Sequence, residues 1–559
     1  LIVEFGRMAR DKRCDLVLFP ELALSGYPPE DLMLEPKFVR DNLKHLRRLA
    51  RRCTSPPMVV GFVEGEDGLL YNSAAVVSGG KIVEMVRKVC LPNYGVFDEQ
   101  RYFSSGSRIH VFNTGEFRFA VNICEDIWVN PGPADLQAAR GAGLIATVNS
   151  SPYHVRKSKE RIKLVTGLAK RSKSFCAYVN LVGGQDELVF DGSSIVVAPN
   201  GELFALGHMF RDELITVDIP MDELIECSQK RKLTPRLARA AEKYPSVKST
   251  RIDLKVGRRR KKIETVIADP PRSREEEVYH ALVTGTRDYI AKNGFTDVVV
   301  GLSGGIDSAL TAAIAYDIVG SNHLHLVFMP TRYTTEESRI GARKLAQNVG
   351  VKLVEYNIDR LFSEYNETLN KTFADLEEDI TEENIQARIR GTILMALANK
   401  FNWLVLTTGN KSEVAVGYCT LYGDTAGGYA IVKDLYKTMV FRLARWMNRM
   451  SRKMGMGSII PPLIISKPPS AELRENQIDS QELPPYDLMD AILKRYIESG
   501  ESPQEIARQG YDLATVRSII ALVDKNEYKR RQAAPGVKIT PRGFGKDRRM
   551  PITNRYTFD

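Results

Sequence analysis

"DVVVGLSGGIDSALTAAIAYDIV" (residues 297–319) decides the architecture of the second half of the chain. Its opening run of β-branched residues has the length of a buried strand, and its alanine-rich close reads as a helix. Between them lies Ser303-Gly304-Gly305-Ile306-Asp307-Ser308. Glycines after a strand let backbone amides approach a phosphate, and the first helical turn adds partial positive charge. No lysine closes the loop, so it is not G-x-x-x-x-G-K-[ST], and it lacks the G-x-G-x-x-G spacing. Gly-Gly alone fits a plain tight turn equally well. Asp307 says more. A carboxylate inside a phosphate loop repels its ligand unless a cation lies between them, and Mg²⁺ held by one or two carboxylates plus phosphates is the usual solution. A second metal ligand is expected at another strand end, where "LVLTTGNKSEVAVGY" (404–418) offers Glu413.

Working outward, "DVVVGL", "HLHLVFMP", "VKLVEYNI" and "WLVLTT" read as strands separated by helical sequence, which predicts a parallel, doubly wound sheet. "SREEEVYHALVTGTRDYIAKNG" (273–294) predicts an amphipathic helix with Ser273 and Glu276 as its capping box. Residues 226–272 are charged, poor in strand signals and end in "DPPRS", so they read as a connector. Residues 1–225 form a second α/β series. "CDLVLFP", "PMVVGFV", "SAAVVS", "FAVNIC", "GLIATVN", "FCAYVNLV" and "SSIVVAP" have strand character, with helices expected at 36–52 and 158–173. The chain opens in helix-like "LIVEFGRMAR" without a methionine, so an upstream first strand is expected to be missing. The expected division is 1–225, a connector at 226–272, and 273–559.

A length of 559 residues exceeds one ordinary core. Hydrophobic content of 43% and charge of 26% are those of a globular protein, with no membrane-spanning run. Seven cysteines without paired spacing predict free thiols in a reducing, cytoplasmic setting. The net charge of +10 is concentrated in "RRRKK" (258–262), "YKRRQ" (528–532) and "RGFGKDRR" (542–549). These runs belong to no nucleic-acid module and read as solvated linker and tail, so no nucleic-acid partner is expected.

The Ser303–Ser308 loop resembles that of the ATP pyrophosphatases, which implies ATP attacked at its α-phosphate, with pyrophosphate leaving. "EENIQARIRGTILMALA" (382–398), "TTGNKSEVAVGYCTLYGDTAGGYA" (407–430) and "VKDLYKTMVFRLA" (432–444) look like the NAD synthetases, which amidate deamido-NAD. The resemblance implies that Asn384, Arg388 and Lys437 contact deamido-NAD, that Thr408 joins the loop at ATP, and that Asp307 and Glu413 hold Mg²⁺. Helical spacing independently lets Asn384 and Arg388 address one ligand. "KPPSAEL" (467–473) and the end of the chain, "NEYKRRQAAPGVKITPRGFGKDRRMPITNRY" (526–556), resemble the long glutamine-dependent members. Glu475 and Ser480-Gln481 depart from their expected proline and acidic pair.

An amidating synthetase needs ammonia, and at neutral pH most free ammonia is protonated and cannot attack. The first half is therefore expected to release it from glutamine. No Cys-His pairing stands out. Instead "LVLFPELALSGYPPEDL", "VRKVCLPNYGVFDEQRYF" and "NICEDIW" supply Glu21, Lys88 and Cys124 in the order of the nitrilase superfamily, which they resemble. The resemblance implies Glu21 as base, Lys88 as supporting cation and Cys124 as nucleophile, with Glu99 as a second acid. Tyr94, Glu125, Trp128 and Ser151 match glutamine-site positions. Leu181 stands where a polar residue is expected. The fold so implied is a nitrilase-like αββα sandwich followed by a Rossmann-like doubly wound sheet, and the assembly a large homo-oligomer, up to an octamer. Two rival readings are another ATP-pyrophosphatase amidotransferase such as a GMP synthetase, which needs a Cys-His glutaminase, and a scaffold with a dead nitrilase half.

Overall fold

The computed structural model describes residues 1–229, 233–254, 256 and 265–556. The basic run 258–262 lies outside the described residues. The chain forms two compact units. One comprises Leu1–Gly183 and Phe190–Pro270, the other Gly184–Val189 and Pro271–Asp559.

In the first unit, Val17–Leu18, Met58–Glu66, Leu69–Ser78 and Lys81–Arg87 lie side by side in one sheet. A second sheet runs Leu203–Leu206, Ile195–Val197, Phe175–Asn180, Leu144–Asn149, Arg118–Ile123, Ile109–Asn113 and Val247–Arg251. Val59, Ala74 and Val76 of the first meet Phe112, Phe119, Val121 and Val148 of the second in one buried core. The outer face of the first sheet is covered by the helices Ile2–Asp11 and Pro36–Arg52, through Ala9, Leu46 and Leu49. The second is covered by Pro133–Ala139 and Lys157–Ser172, through Ala134, Ala138, Val165 and Leu168. Helix, sheet, sheet, helix is the αββα sandwich. The edge strand Val247–Arg251, parallel to Ile109–Asn113, comes from the stretch read as a connector. It is only half-buried, so its sequence carries no run of apolar residues.

The second unit is built on a parallel sheet in the order Leu353–Glu355, Leu324–Phe328, Val298–Leu302, Leu404–Thr407, Tyr429–Ala430. The central strand, Val298–Leu302, turns through Ser303–Gly305 into the helix Ile306–Val319. Its helix face is almost wholly apolar because it packs inside the unit. The helix Arg274–Lys292 starts at Ser273, whose side chain accepts the Glu276 N–H at 3.1 Å; the Glu276 carboxylate turns back to the Arg272 N–H at 2.6 Å.

The basic tail departs from the solvated reading. Arg530 is 6% and Arg548 5% exposed. Arg530 Nη1 donates to the Ala415 carbonyl at 2.6 Å, Asn526 Nδ2 to that of Val416 at 2.8 Å, and Lys529 Nζ to those of Gly417 and Cys419 at 2.7 and 2.9 Å. These donors satisfy the free carbonyls and negative end of the short helix Lys411–Val416. Among the described residues no helix is long and apolar enough to cross a membrane.

Candidate functional site

In the first unit, Glu21, Lys88 and Glu99 meet at one buried point. Lys88 Nζ donates to Glu21 Oε1 and to Glu99 Oε1, each at 2.8 Å, and all three side chains are at most 4% exposed. Glu21 also accepts from Asn72 Nδ2 at 2.7 Å and, through Oε2, from the Ser150 N–H at 2.7 Å. Ser150 Oγ donates to the Glu21 carbonyl at 2.8 Å. Gly61 makes this placement possible: a Cβ there would lie 2.3 Å from Leu22 N and 2.5 Å from the Pro20 carbonyl oxygen. Burial pulls the Lys88 ammonium down, but Glu21 and Glu99 outweigh it and hold its pKa well above the usual lysine value. Burial pushes Glu99 up to about 7, against the pull of Lys88.

Cys124 sits at the end of strand Arg118–Ile123, buried, with a left-handed φ of +43°. A non-glycine residue held there marks a local backbone constraint. Burial, and next the Glu21 charge, push its thiol well up against the pull of Lys88, so the resting sulfur keeps its proton. The neighbouring acids point elsewhere. Asp126 accepts the N–H groups of Val89, Cys90 and Ile123 at 3.0, 2.8 and 3.1 Å, which ties the Lys88 strand end to the Cys124 turn. Glu125 accepts from Tyr94 Oη at 2.9 Å. The Lys157 ammonium stands 4.5 Å from the Trp128 ring centre. Ser151 is buried, its N–H on Asn180 Oδ1 at 2.9 Å and its Oγ receiving Arg161 Nε at 3.2 Å.

The second unit has a cavity of about 330 Å³ at the carboxyl ends of its strands. Ser303, Gly305, Ile306, Asp307 and Ser308 line it, with Asn384, Thr408, Glu413 and Lys437. Gly304 lies behind, at φ +82°, where a Cβ would stand 2.6 Å from Ser338 Cα. The loop is self-bonded: Ser303 Oγ lies 3.1 Å from Ser308 Oγ and accepts the Gly305 N–H at 3.1 Å. Lys437 Nζ bridges Asp307 Oδ2 at 2.6 Å and Glu413 Oε1 at 2.7 Å, while Asn410 Nδ2 holds Asp307 Oδ1 at 2.9 Å. Burial pushes Glu413 up to about 8, opposed by Lys437. Two carboxylates converging beside a phosphate-type loop suit a hard cation that takes its other ligands from phosphate and water. Among the described residues, no group of three or more His, Cys, Asp or Glu could hold a metal by itself.

A carbon-nitrogen hydrolase family model matches residues 1–229, and an NAD synthase family model matches residues 278–533. The glutamine-dependent NAD(+) synthetase of Thermotoga maritima is 50% identical over 561 residues, covering 99% of this chain and 95% of that one. This chain belongs to the glutamine-dependent NAD(+) synthetase family.

The family member of Aquifex aeolicus is 43% identical over 98% of this chain and 94% of its own. The solved glutamine-dependent NAD+ synthetase of Acinetobacter baumannii, in complex with adenosine diphosphate, superposes with a TM-score of 0.74 at 39% identity, covering 99% of this chain and 94% of that one. A glutamine-dependent NAD(+) synthetase that carries both a nitrilase-type half and the S-G-G-x-D-S loop is neither a GMP synthetase nor built on a Cys-His glutaminase.

Within this family frame, one predicted residue stands apart. Arg388 is exposed and outside the cavity lining, and its Nε donates to the Leu421 carbonyl at 3.3 Å. Arg390 lines the cavity instead, its Nε on the Met329 carbonyl at 3.0 Å, and burial pulls its pKa down to about 10. Lys467, Glu472 and Lys529 also line it. Sequence reasoning did not single these out, because each is an ordinary charged residue until distant segments are folded beside it. Asn72, Asp126 and Lys157 at the other site escape notice likewise, because the groups they meet lie far along the chain.

Proposed function

We propose that Glu21, Lys88 and Cys124 hydrolyse glutamine, and that the ammonia is consumed at the second unit's cavity, where deamido-NAD is adenylated by ATP and amidated to NAD. The observation that carries the first step is the buried Lys88 ammonium held between Glu21 and Glu99, with Cys124 buried at the end of a neighbouring strand. Glu21 takes the thiol proton as sulfur attacks the amide carbon. Lys88 and the residue-125 N–H stabilise the oxyanion; one such donor is typically worth about 10²–10³ in rate. Glu21 returns the proton to the leaving nitrogen, ammonia departs, and a thioester remains on Cys124. Glu21 then deprotonates water, which cleaves the thioester to glutamate and restores the thiol. Glu99 keeps Lys88 in place. Glu125 with Tyr94 offers a negative charge to the glutamine ammonium, Lys157 over Trp128 a positive one to its carboxylate, and Ser151 a further polar contact.

At the second cavity, the loop Ser303–Ser308 and Thr408 receive ATP, and Asn384 and Lys437 address deamido-NAD. The nicotinate carboxylate attacks the α-phosphorus and pyrophosphate leaves; ammonia attacks the adenylated carbonyl and AMP leaves. Asp307 and Glu413 would hold Mg²⁺, which neutralises charge on the polyphosphate. Free thiols support a reducing, cytoplasmic setting. A homo-oligomer belongs to the same reading, and sedimentation of the purified chain tests it.

The deciding experiment supplies ATP and deamido-NAD with either glutamine or ammonium and follows NAD. Cys124→Ala should abolish glutamine-supported synthesis and spare ammonium-supported synthesis. Equal loss of both, or of neither, overturns this division of labour.

A further inference from the structure

Glu413 rides on the short helix Lys411–Val416, and Lys437 is the first residue of the helix Lys437–Lys453. Their side chains meet at 2.7 Å, so the two elements must be held in a fixed relation. One residue outside the cavity touches both. Asp490, on the helix Tyr486–Lys494, is 6% exposed and does not line the cavity. Its Oδ1 accepts from Ser412 Oγ at 2.5 Å, and its Oδ2 accepts the Thr438 N–H at 2.9 Å. Ser412 Oγ in turn accepts the Lys437 N–H at 2.9 Å. Ser412 is fully buried and adjoins Glu413 in sequence.

One carboxylate thus satisfies a side chain of the first helix and, directly or through Ser412, the first two N–H groups of the second. Those amides have no partner within their own helix, and a negative group is favoured at a helix start. Among the described residues Asp490 has no salt-bridge partner, although a carboxylate without one is costly to bury. An apolar residue would pack there at less cost but could not join the two helix starts.

We propose that Asp490 is a positioning residue for the adenylation step: through Ser412 and Thr438 it sets Glu413 and Lys437 against Asp307. This rests on the roles of Glu413 and Lys437 proposed above. The bland alternative is a core hydrogen bond that only stabilises the fold.

The full-length chain separates the two. In Asp490→Asn the side chain keeps its shape but loses one acceptor. With ammonium as nitrogen source, kcat/KM for ATP should fall by up to about 10²-fold, the cost of a misplacement near 1 Å. ATP binding by calorimetry in the presence of Mg²⁺ should weaken in parallel, while thermal unfolding stays cooperative. Ser412→Ala should give the same signature, and the double variant should be no worse than the poorer single one, because both remove one linkage. A variant that unfolds earlier yet keeps wild-type kcat/KM and ATP binding below its transition would overturn the proposal, as would full additivity of the two losses. Glu413→Gln and Lys437→Met serve as references. If they impair synthesis and Asp490→Asn does not, only this inference fails; if they too leave synthesis intact, the reading beneath it fails.

Discussion

Lys437 Nζ lies 2.6 Å from Asp307 Oδ2, and on its other side it reaches Glu413. The ammonium occupies the position between two carboxylates where the sequence predicts a divalent cation. The lysine is therefore the counter-charge that the two carboxylates share.

Lys437→Met should leave the two carboxylates facing each other without compensation. Removing one partner of a buried pair costs about 3–5 kcal/mol, and the partial exposure of Asp307 and Glu413 places this case at the lower end. Added Mg²⁺ should raise the variant's melting temperature more than that of the parent protein. Equal shifts in a thermal scan would show that the two carboxylates do not take the metal.

Asp126→Ala should strand three N–H groups at the junction of the Lys88 strand end and the Cys124 turn. Each unpaired buried group costs about 1–3 kcal/mol. Glutamine-supported synthesis should drop by about 10²-fold through displacement of Cys124 from Lys88, with ammonium-supported synthesis retained. Parallel rate measurements with the two nitrogen sources check it.

Gly61→Ala should act on the same half by steric means. The new methyl overlaps the backbone on either side of Glu21, and such overpacking costs about 1–3 kcal/mol. A selective fall in glutamine hydrolysis, followed by glutamate release, is the expected result.

Stability should carry the signature of Glu99. Burial raises its folded pKa from 4.5 to about 7, so between those values the folded chain binds more protons than the unfolded one. This group's contribution is fully present below pH 4.5 and is lost as pH rises through about 7. Glu99→Gln should flatten that part of the stability profile. Denaturant melts at pH 5 and pH 7.5 should show a smaller difference for the variant than for the parent.

Arg530→Ala should behave as a core mutation. The side chain pairs with Glu527 at 2.9 Å and caps the helix that carries Glu413. A loss of about 3–5 kcal/mol is expected in chemical unfolding. An unchanged midpoint would restore the solvated-tail reading.

Much of this was legible before folding. The S-G-G-x-D-S loop sits between a β-branched run and an alanine-rich run, and both periods are local, so the central strand and its helix could be placed. Glu21 and Cys124 each follow a strand whose apolar run announces it, whereas the strand before Lys88 carries no such run. What could not be read depends on partners far along the chain. Arg530 looks solvated until the carbonyls of Val414 and Ala415, more than a hundred residues upstream, are folded against it. Asn72 and Ser150 gain meaning only when they converge on Glu21. Lys81–Arg87 and Val247–Arg251 are partly exposed strands with mixed composition, so neither alternation nor an apolar run marks them.

The strand Val247–Arg251 also limits how the molecule can be engineered. The segment that joins the halves is stitched by a parallel ladder onto Ile109–Asn113 and anchored through Lys248 and Thr250 to Glu84. It is not a tether whose length can be retuned freely. Swapping it for a glycine-serine spacer would strip the border from a sheet, so attempts to loosen one activity from the other there should first compromise the glutamine-handling half.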